Sequence, residues 1–300
     1  MSSAPDVVSA GTAGGSSGNA FPTRAAIEGL AMQYHLALPE RQRAARIGEL
    51  SGRRTGSSVE YQDRKDFAPG DDLRHVDWRG YARSDRMTVK LYREEITPSV
   101  DLVIDCSASM SVTGEKAQRR LETSYFLFLL ARKLHALVRV HAVGEHLRPI
   151  QSPLELLRIA DTRLESPLPL LRGSAATRPG GIKILVSDLL FPFSPPEITK
   201  VFRDADRLVI VQVLSSFEDD PDEALSVGAM MRLEDAEADM HLDVKLDRGT
   251  IDGYKRRLNA LRDDMAQWLR PRNGCLTMIR EDDSLESMIR KLLTSGAVTI

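Results

Sequence analysis

From about residue 100 onward, apolar runs with the length of buried strands alternate with amphipathic stretches of helical spacing. Residues 102–104, 182–187 and 207–214 are nearly continuous apolar runs rich in β-branched side chains, which is typical of strands buried in a parallel sheet. Residues 116–136 carry apolar side chains at helical spacing, which predicts a helix between the first two of these strands. The alternation predicts a Rossmann-like, doubly wound α/β domain with a mostly parallel sheet over residues 97–300.

The chain before residue 97 has a different pattern. Residues 1–20 are dominated by Ser, Gly and Ala, and they predict a disordered tail because they bury too little apolar surface to offset the entropy of ordering. Residues 21–96 predict an N-terminal helix followed by a β-containing arm, which glycine and proline punctuate. We expect the arm to pack on the edge of the α/β domain, with Trp78 as a buried anchor beside Tyr61.

The last third of the chain begins with an acidic run, for which the pattern predicts a solvated surface loop. Its members are Glu218, Asp219, Asp220, Asp222 and Glu223. Beyond it, alternation at 231–233 and 241–246 predicts an antiparallel hairpin, and residues 252–269 predict a long helix that ends before Pro271.

Composition narrows the class of protein and its partners. A chain of 300 residues with 42% hydrophobic residues can bury a sizeable core, and a net charge of -2 gives no general attraction to nucleic acid or to an anionic membrane. No apolar run has the length of a membrane span, and the N-terminus lacks the pattern of a secretory signal. Two cysteines, Cys106 and Cys275, fit a reducing compartment, so we expect a cytoplasmic protein without nucleic-acid or membrane partners.

Candidate chemistry lies where the first strand of the predicted domain ends. Asp105, Ser107 and Ser109 follow the apolar run at every second position, and short side chains at the carboxyl end of a parallel strand can converge above the sheet. A carboxylate and two hydroxyls form an all-oxygen set that suits Mg²⁺ or Mn²⁺. The same residue types also occur as a turn with a helix cap, so this pattern alone leaves both interpretations open.

A second apolar strand ends in Asp188, and the combination resembles the metal-ion-dependent adhesion site of von Willebrand factor type A domains. A longer stretch resembles the bacterial family catalogued as domain of unknown function 58, whose members carry a von Willebrand A-like domain and are typically encoded beside MoxR-type AAA+ ATPases. The resemblance extends over roughly residues 50–188, and it is carried by Glu60-Tyr61, Asp63-Arg64, Pro69-Gly70-Asp71-Asp72, Arg74, Asp77-Trp78, Ala82-Arg83, Lys90 and the Asp105-to-Met110 motif. Membrane spans that are frequent in the family are not seen in this sequence, which places it with the soluble members.

The resemblance implies a five-residue metal site formed by Asp105, Ser107, Ser109, Thr162 and Asp188. Thr162 is preferred to Thr177 because it precedes the helix that leads to the Asp188 strand. Asp161 stands where the family usually has glycine, which is a departure from the pattern.

In such a site the ion keeps an open position, which a carboxylate of a partner protein can occupy. The implied function is a non-enzymatic, metal-dependent adaptor that works with a MoxR-type AAA+ ATPase on a client protein offering an Asp or Glu. No phosphate-binding loop of the ATPase type is present in the sequence. The alternative is a metal-dependent phosphatase or nuclease that uses Asp71, Asp72 and Asp77.

Overall fold

A computed structural model describes residues 21–39, 59–94, 98–164, 166–172, 178–224, 230–234, 236, 241–245 and 247–300. The predicted disordered tail and the alternative ligand Thr177 lie outside the described residues.

The described strands are β1 (His35–Leu36), β2 (Val59–Asp66), β3 (Thr88–Glu94), β4 (Ser99–Asp105), β5 (Leu137–Val143), β6 (Leu147–Ile150), β7 (Ile182–Ser187), β8 (Arg207–Leu214), β9 (Met230–Glu234), β10 (His241–Lys245), β11 (Cys275–Arg280) and β12 (Val298–Thr299). The described α-helices are α1 (Arg24–Ala31), α2 (Trp78–Ser84), α3 (Gly114–Lys133), α4 (Leu168–Leu171), α5 (Pro195–Val201), α6 (Ser216–Asp219), α7 (Pro221–Ala224), α8 (Arg248–Leu269) and α9 (Leu285–Thr294).

The main sheet has six strands in the order β11-β8-β7-β4-β5-β6. All neighbours in it pair in parallel except β6, which pairs antiparallel with β5 as an edge strand. This mixed α/β architecture with a mostly parallel sheet is compatible with the predicted Rossmann-like fold. The predicted hairpin near residues 231–246 is also confirmed, because β9 and β10 pair antiparallel.

Both faces of the main sheet are covered by helices, as continuous apolar strands require. Alternate residues of β4 face opposite cores: Leu102 and Ile104 belong to one apolar cluster and Val103 to the other. The first cluster includes residues of α1, α3 and α9, and the second includes residues of α4, α5 and α8. Asp105 shares the parity of Val103, so its position at the end of the strand belongs to the second face.

The N-terminal helix packs on the α/β domain. Ile27 of α1 is fully buried in the first apolar cluster, and β1 pairs antiparallel with β12 near the end of the chain. The domain boundary at residue 97 stays a prediction, but the core already includes residues that precede it.

The arm is an antiparallel hairpin of β2 and β3. Helix α2 lies in the connection between the two strands. Asp77 begins α2: its carboxylate accepts a hydrogen bond from Gly80 N at 3.1 Å and forms ion pairs with Arg64 and Lys90. Asp77 is 4% exposed whereas Trp78 is 55% exposed, so the prediction that Trp78 is a buried anchor is wrong. At the start of α2 the inward side chain is that of Asp77, whose carboxylate pairs with Arg64 of β2 and Lys90 of β3.

The predicted solvated loop at the acidic run is also wrong for part of its length. Ser215 and Glu218 form a reciprocal cap that begins α6, and Pro221 begins α7. Glu218 and Asp219 have side chains only 12% and 13% exposed, because each reaches a cation of the domain. Among the described residues, no helix has both the length and the hydropathy that crossing a membrane requires.

Candidate metal site

The predicted site lies where two neighbouring parallel strands end. β4 ends at Asp105, and β7 ends at Ser187, directly before Asp188. The chain leaves β4 toward β5 on one side, whereas β7 lies on the other side of β4. This reversal of strand order opens a crevice at the carboxyl ends of the strands, which is the usual ligand position in open α/β sheets.

The loop after β4 holds its polar side chains close together. One carboxylate oxygen of Asp105, Oδ1, accepts a hydrogen bond from Ser107 N at 3.0 Å, and the Oγ atoms of Ser107 and Ser109 are 3.1 Å apart. The chain then enters a short 3₁₀ turn, Ala108–Ser111, before Thr113 caps α3. The alternating pattern seen in the sequence therefore produces a compact cluster of three oxygen-bearing side chains.

Thr162 is brought to this loop by backbone hydrogen bonds. Thr162 N donates to Cys106 O at 3.0 Å, and Ala108 N donates to Thr162 O at 2.9 Å, which forms a parallel bridge between Ser107 and Thr162. The Thr162 hydroxyl is buried, and among the described residues it has no hydrogen-bond partner. Gly144 provides the space, because a Cβ at that position would lie 2.7 Å from Thr162 Oγ1.

The two aspartates of the candidate site lie at the ends of neighbouring strands. Asp105 Oδ2 accepts a hydrogen bond from Ser187 Oγ at 2.6 Å, and Asp188 Oδ1 accepts one from Leu190 N at 3.1 Å. Burial raises the pKa of Asp105 to about 6, and the negative charge of Asp188 adds to the rise, against the hydrogen bond from Ser187. Removing the negative charge of Asp188 or adding a cation would therefore favour the ionised form of Asp105.

Lys116 is a part of the site that sequence reasoning missed. It lies in the first turn of α3, has 0% exposure, and its ammonium donates to Ser109 O at 2.9 Å and to Asp188 Oδ2 at 3.0 Å. A lysine at the start of a helix is usually solvated, so the sequence contained no signal for this burial.

Glu218 was predicted to lie in a solvated loop, but it is the second carboxylate partner of Lys116. The Lys116 ammonium lies 2.8 Å from Glu218 Oε1 and 2.7 Å from Oε2. The turn is tied to α8, because the Tyr254 hydroxyl donates to Glu218 O. Burial raises the pKa of Tyr254 to about 12, and the charge of Glu218 adds to it, so the hydroxyl stays a donor.

Asp161, which stands where the family usually has glycine, forms an ion pair with Arg120. Arg120 is 4% exposed and donates to Asp161 Oδ1 at 2.6 Å and to Asp105 O at 3.3 Å. The arginine therefore ties the loop of Thr162 to the end of β4, and an aspartate at position 161 is compatible with the geometry of the site.

The residues present fit a hard divalent cation. The candidate ligands offer oxygen alone, and the orphaned Thr162 hydroxyl is a buried acceptor that an ion would satisfy. Among the described residues there is no group of three or more His, Cys, Asp or Glu side chains able to hold a metal, so the fit depends on the three hydroxyls.

The three acids of the hydrolase alternative do not form a cluster of free carboxylates. Asp71 pairs with Lys65 at 2.6 Å, Asp72 with Arg74 at 2.7 Å, and Asp77 with Arg64 at 3.1 Å. Hydrogen bonding by Arg74 holds the pKa of Asp72 well below its usual range, and the backbone hydrogen bond from Gly80 lowers that of Asp77. Each acid therefore forms an ion pair that stabilises the local structure of the arm.

Fold and site together define an α/β protein with a candidate cation-binding crevice at the carboxyl edge of a mostly parallel sheet. Residues 63–152 match the family described as Protein of unknown function DUF58. The match includes most of the arm and the first loop of the site, and it confirms the resemblance to that family over these residues.

Two solved structures are similar to the chain at low identity. BatB, a conserved hypothetical protein from Bacteroides thetaiotaomicron, is 13% identical with a TM-score of 0.31, and the alignment covers 67% of this chain and 98% of that one. An aerotolerance-related membrane protein from Bacteroides fragilis NCTC 9343, solved with multiple mutations to serines, is 11% identical with a TM-score of 0.33 and the same coverage of both chains. Likenesses of this size carry no inference about the chain. No curated protein matches it.

Proposed function

We propose that this protein is a non-enzymatic adaptor that captures a carboxylate of a partner protein through a bound Mg²⁺ or Mn²⁺ ion. The observation that carries the proposal is the buried, unpartnered hydroxyl of Thr162 beside Ser107. A buried polar atom without a partner costs free energy, and an ion at this position would recover it.

The residues that would hold the ion are Asp105, Ser107, Ser109, Thr162 and Asp188. Bound there, the ion supplies a positive centre with an open coordination position. The three hydroxyls are neutral ligands and the two aspartates act directly or through water. A carboxylate from a partner completes the coordination, so the interaction is specific for Asp or Glu and depends on the ion.

The finer parts of the proposal extend the family resemblance. We assign the α/β domain to the von Willebrand A-like type, with a MoxR-type AAA+ ATPase as one partner and a client protein as the other. We place the protein in the cytoplasm, in line with the two free cysteines, Cys106 and Cys275. The ion pairs of the arm acids give the hydrolase alternative no support, and the experiment on partner capture includes a test for it.

The test is calorimetric titration of Mg²⁺ and Mn²⁺ into the wild type, Asp105→Ala and a matched control, Asp204→Ala. Asp204 is an exposed acid paired with its neighbour Arg203, so its removal changes the net charge by the same amount away from the site. We expect the wild type and the control to bind the ion and Asp105→Ala to lose binding. Equal affinity in all three proteins would reduce Asp105 to a helix-capping role and refute the proposal.

Partner capture is tested with the same three proteins as baits. We expect an AAA+ ATPase to be retained by the wild type and by Asp204→Ala, and to be released by EDTA. Capture that is insensitive both to EDTA and to Asp105→Ala would refute metal-bridged binding. Metal-dependent release of phosphate or nucleotides from a substrate panel would favour the hydrolase.

A further inference from the structure

A lysine side chain is fully enclosed at the candidate metal site. The ammonium of Lys116 is bound by four oxygens, one from the Ser109 carbonyl, one from the Asp188 carboxylate and two from the Glu218 carboxylate, at 2.7 to 3.0 Å. Desolvating an ammonium is unfavourable, so a buried lysine persists only with well-placed partners of this kind. Lys116 is therefore built into the site as a cation.

The lysine and a metal ion would share one ligand. Asp188 Oδ2 accepts from Lys116, and Oδ1 accepts from Leu190 N. A divalent ion bound by Asp188 would face the positive ammonium at close range in a region of low dielectric constant, where like charges repel strongly. The ion and the ammonium cannot both keep their best position on this carboxylate.

Glu218 gives the ammonium a second position. If an ion draws Asp188 away, Lys116 keeps its contacts with Glu218 and with Ser109 O. Glu218 is fixed for this purpose, because its carboxylate caps Ser215 N at 2.8 Å and its carbonyl is held by Tyr254. Releasing Asp188 therefore does not leave the ammonium without a carboxylate.

We propose that Lys116 is the resident counter-cation of Asp188, which a divalent ion must displace from that carboxylate. The inference rests on the proposed metal site and adds its regulation. Lys116 keeps the metal-free protein folded, sets the metal affinity below that of the same five ligands without a lysine, and couples ion binding to the turn that carries Glu218.

Two substitutions should change the Mg²⁺ affinity in opposite directions. Lys116→Met keeps an unbranched side chain of nearly the same length and removes the competing charge, so Mg²⁺ affinity rises by about tenfold or more. Glu218→Gln keeps the shape of the side chain but removes the negative charge at the second position of the ammonium. Asp188 is then the one carboxylate that holds Lys116, so Mg²⁺ affinity falls.

Lys183→Met is the matched control. Lys183 is 1% exposed and pairs with Asp101 in the sheet, near the amino-terminal ends of β7 and β4 and away from the candidate site. Its substitution changes the net charge by the same amount and also removes a buried ion pair. We expect it to lower the melting temperature and to leave Mg²⁺ affinity unchanged, which separates competition at Asp188 from a general effect of charge.

Calorimetric titration with Mg²⁺ alone and thermal melts with and without Mg²⁺ provide the readouts. In melts we expect Lys116→Met to be less stable than the wild type without Mg²⁺ and to gain more from the ion. If Lys116→Met does not fold, Lys116→Met/Glu218→Gln removes one charge of each sign, and the expected result is tighter Mg²⁺ binding than in Glu218→Gln.

The outcomes distinguish this inference from the proposed function. Binding by the wild type with equal affinity in Lys116→Met overturns the role of Lys116 and leaves the metal site standing. Binding by Lys116→Met but not by the wild type supports the role of Lys116 and refutes metal-dependent capture by the natural protein. Absence of binding in the wild type, the single variants and the double variant overturns both.

Discussion

The α/β domain contains ion pairs that are fully buried, whereas the arm contains an ion pair that is exposed. In the domain, Asp101 and Lys183 form an ion pair with exposures of 0% and 1%, and Lys116 pairs with Asp188 at 0% and 1%. In the arm, Arg74 and Asp72 pair with side-chain exposures of 87% and 39%. These two pairs of the domain are thus part of the packed interior, whereas the Arg74–Asp72 pair of the arm stabilises a local turn in contact with water.

Aromatic residues show the same difference. Phe126 of α3 is fully buried in the apolar core, and Trp78 of the arm is 55% exposed. A buried ring or charge depends on every element around it, whereas an exposed one depends on its own turn. The comparison predicts that substitutions at buried positions of the domain destabilise the fold, whereas substitutions at exposed positions of the arm leave it intact.

The largest expected effect compares the two aromatic residues. Phe126→Ala should lower the free energy of unfolding by about 3 to 5 kcal/mol, because it removes apolar contacts and leaves a cavity. Trp78→Ala should change it by less than about 0.5 kcal/mol, as is usual for surface positions. Urea denaturation of both variants measures this, and a large loss for Trp78→Ala would place the ring in an interface.

The next effect compares two acids. Asp101→Ala leaves Lys183 and Arg139 facing each other without their carboxylate, and it should cost about 3 kcal/mol. Asp72→Ala should leave the urea midpoint unchanged, because Arg74 is solvated without its partner. A similar loss in both variants would contradict the distinction between buried and surface charges.

A third effect arises from Asp105 in the metal-free protein. Its pKa is raised from 3.8 in the unfolded chain to about 6 in the folded one, so between these values the folded state binds more protons. The contribution of Asp105 to stability is therefore present below about pH 4 and is lost as the pH rises through about 6. Above that pH the ionised group costs about 2 to 3 kcal/mol.

Asp105→Asn removes this cost. Without metal, the variant should be more stable than the wild type by about 2 to 3 kcal/mol near pH 8 and by little near pH 4. Urea denaturation in EDTA across this range measures the difference. A difference that is constant with pH would mean that the aspartate is not strained by burial. With Mg²⁺ present, the advantage of the variant should shrink, because only the wild type gains from the ion.

The smallest effect concerns two glycines. At Gly144 an added methyl group would crowd Thr162 Oγ1, and at Gly80 it would lie 2.8 Å from Asp77 Oδ2. Gly144→Ala should cost about 1 kcal/mol and weaken Mg²⁺ binding by moving Thr162. Gly80→Ala should cost less, because alanine favours the helix in which it lies. Thermal melts and titration of both variants test this, and the reverse order would contradict it.

Much of the fold and part of the candidate site follow from the sequence alone. Apolar runs with β-branched residues determine β4, β7 and β8, because such segments are stable only inside a sheet. The site pattern follows from the same runs, since side chains at the carboxyl ends of neighbouring parallel strands lie close together. The runs predict strands that end at Asp105 and just before Asp188, and the resemblance to the metal-ion-dependent adhesion site implied that the two aspartates share a site.

Only the tertiary structure decided which charges became buried. Lys116 meets Asp188 over 72 residues of sequence and Glu218 over 102, and both contacts depend on how α3 and α6 are placed above the sheet. Asp77 is buried and Trp78 exposed, and the partners of Asp77, Arg64 and Lys90, are likewise distant from it in the sequence. Local patterns determine which segments are helices and strands, but the burial of a charge depends on a partner that only the folded chain brings near.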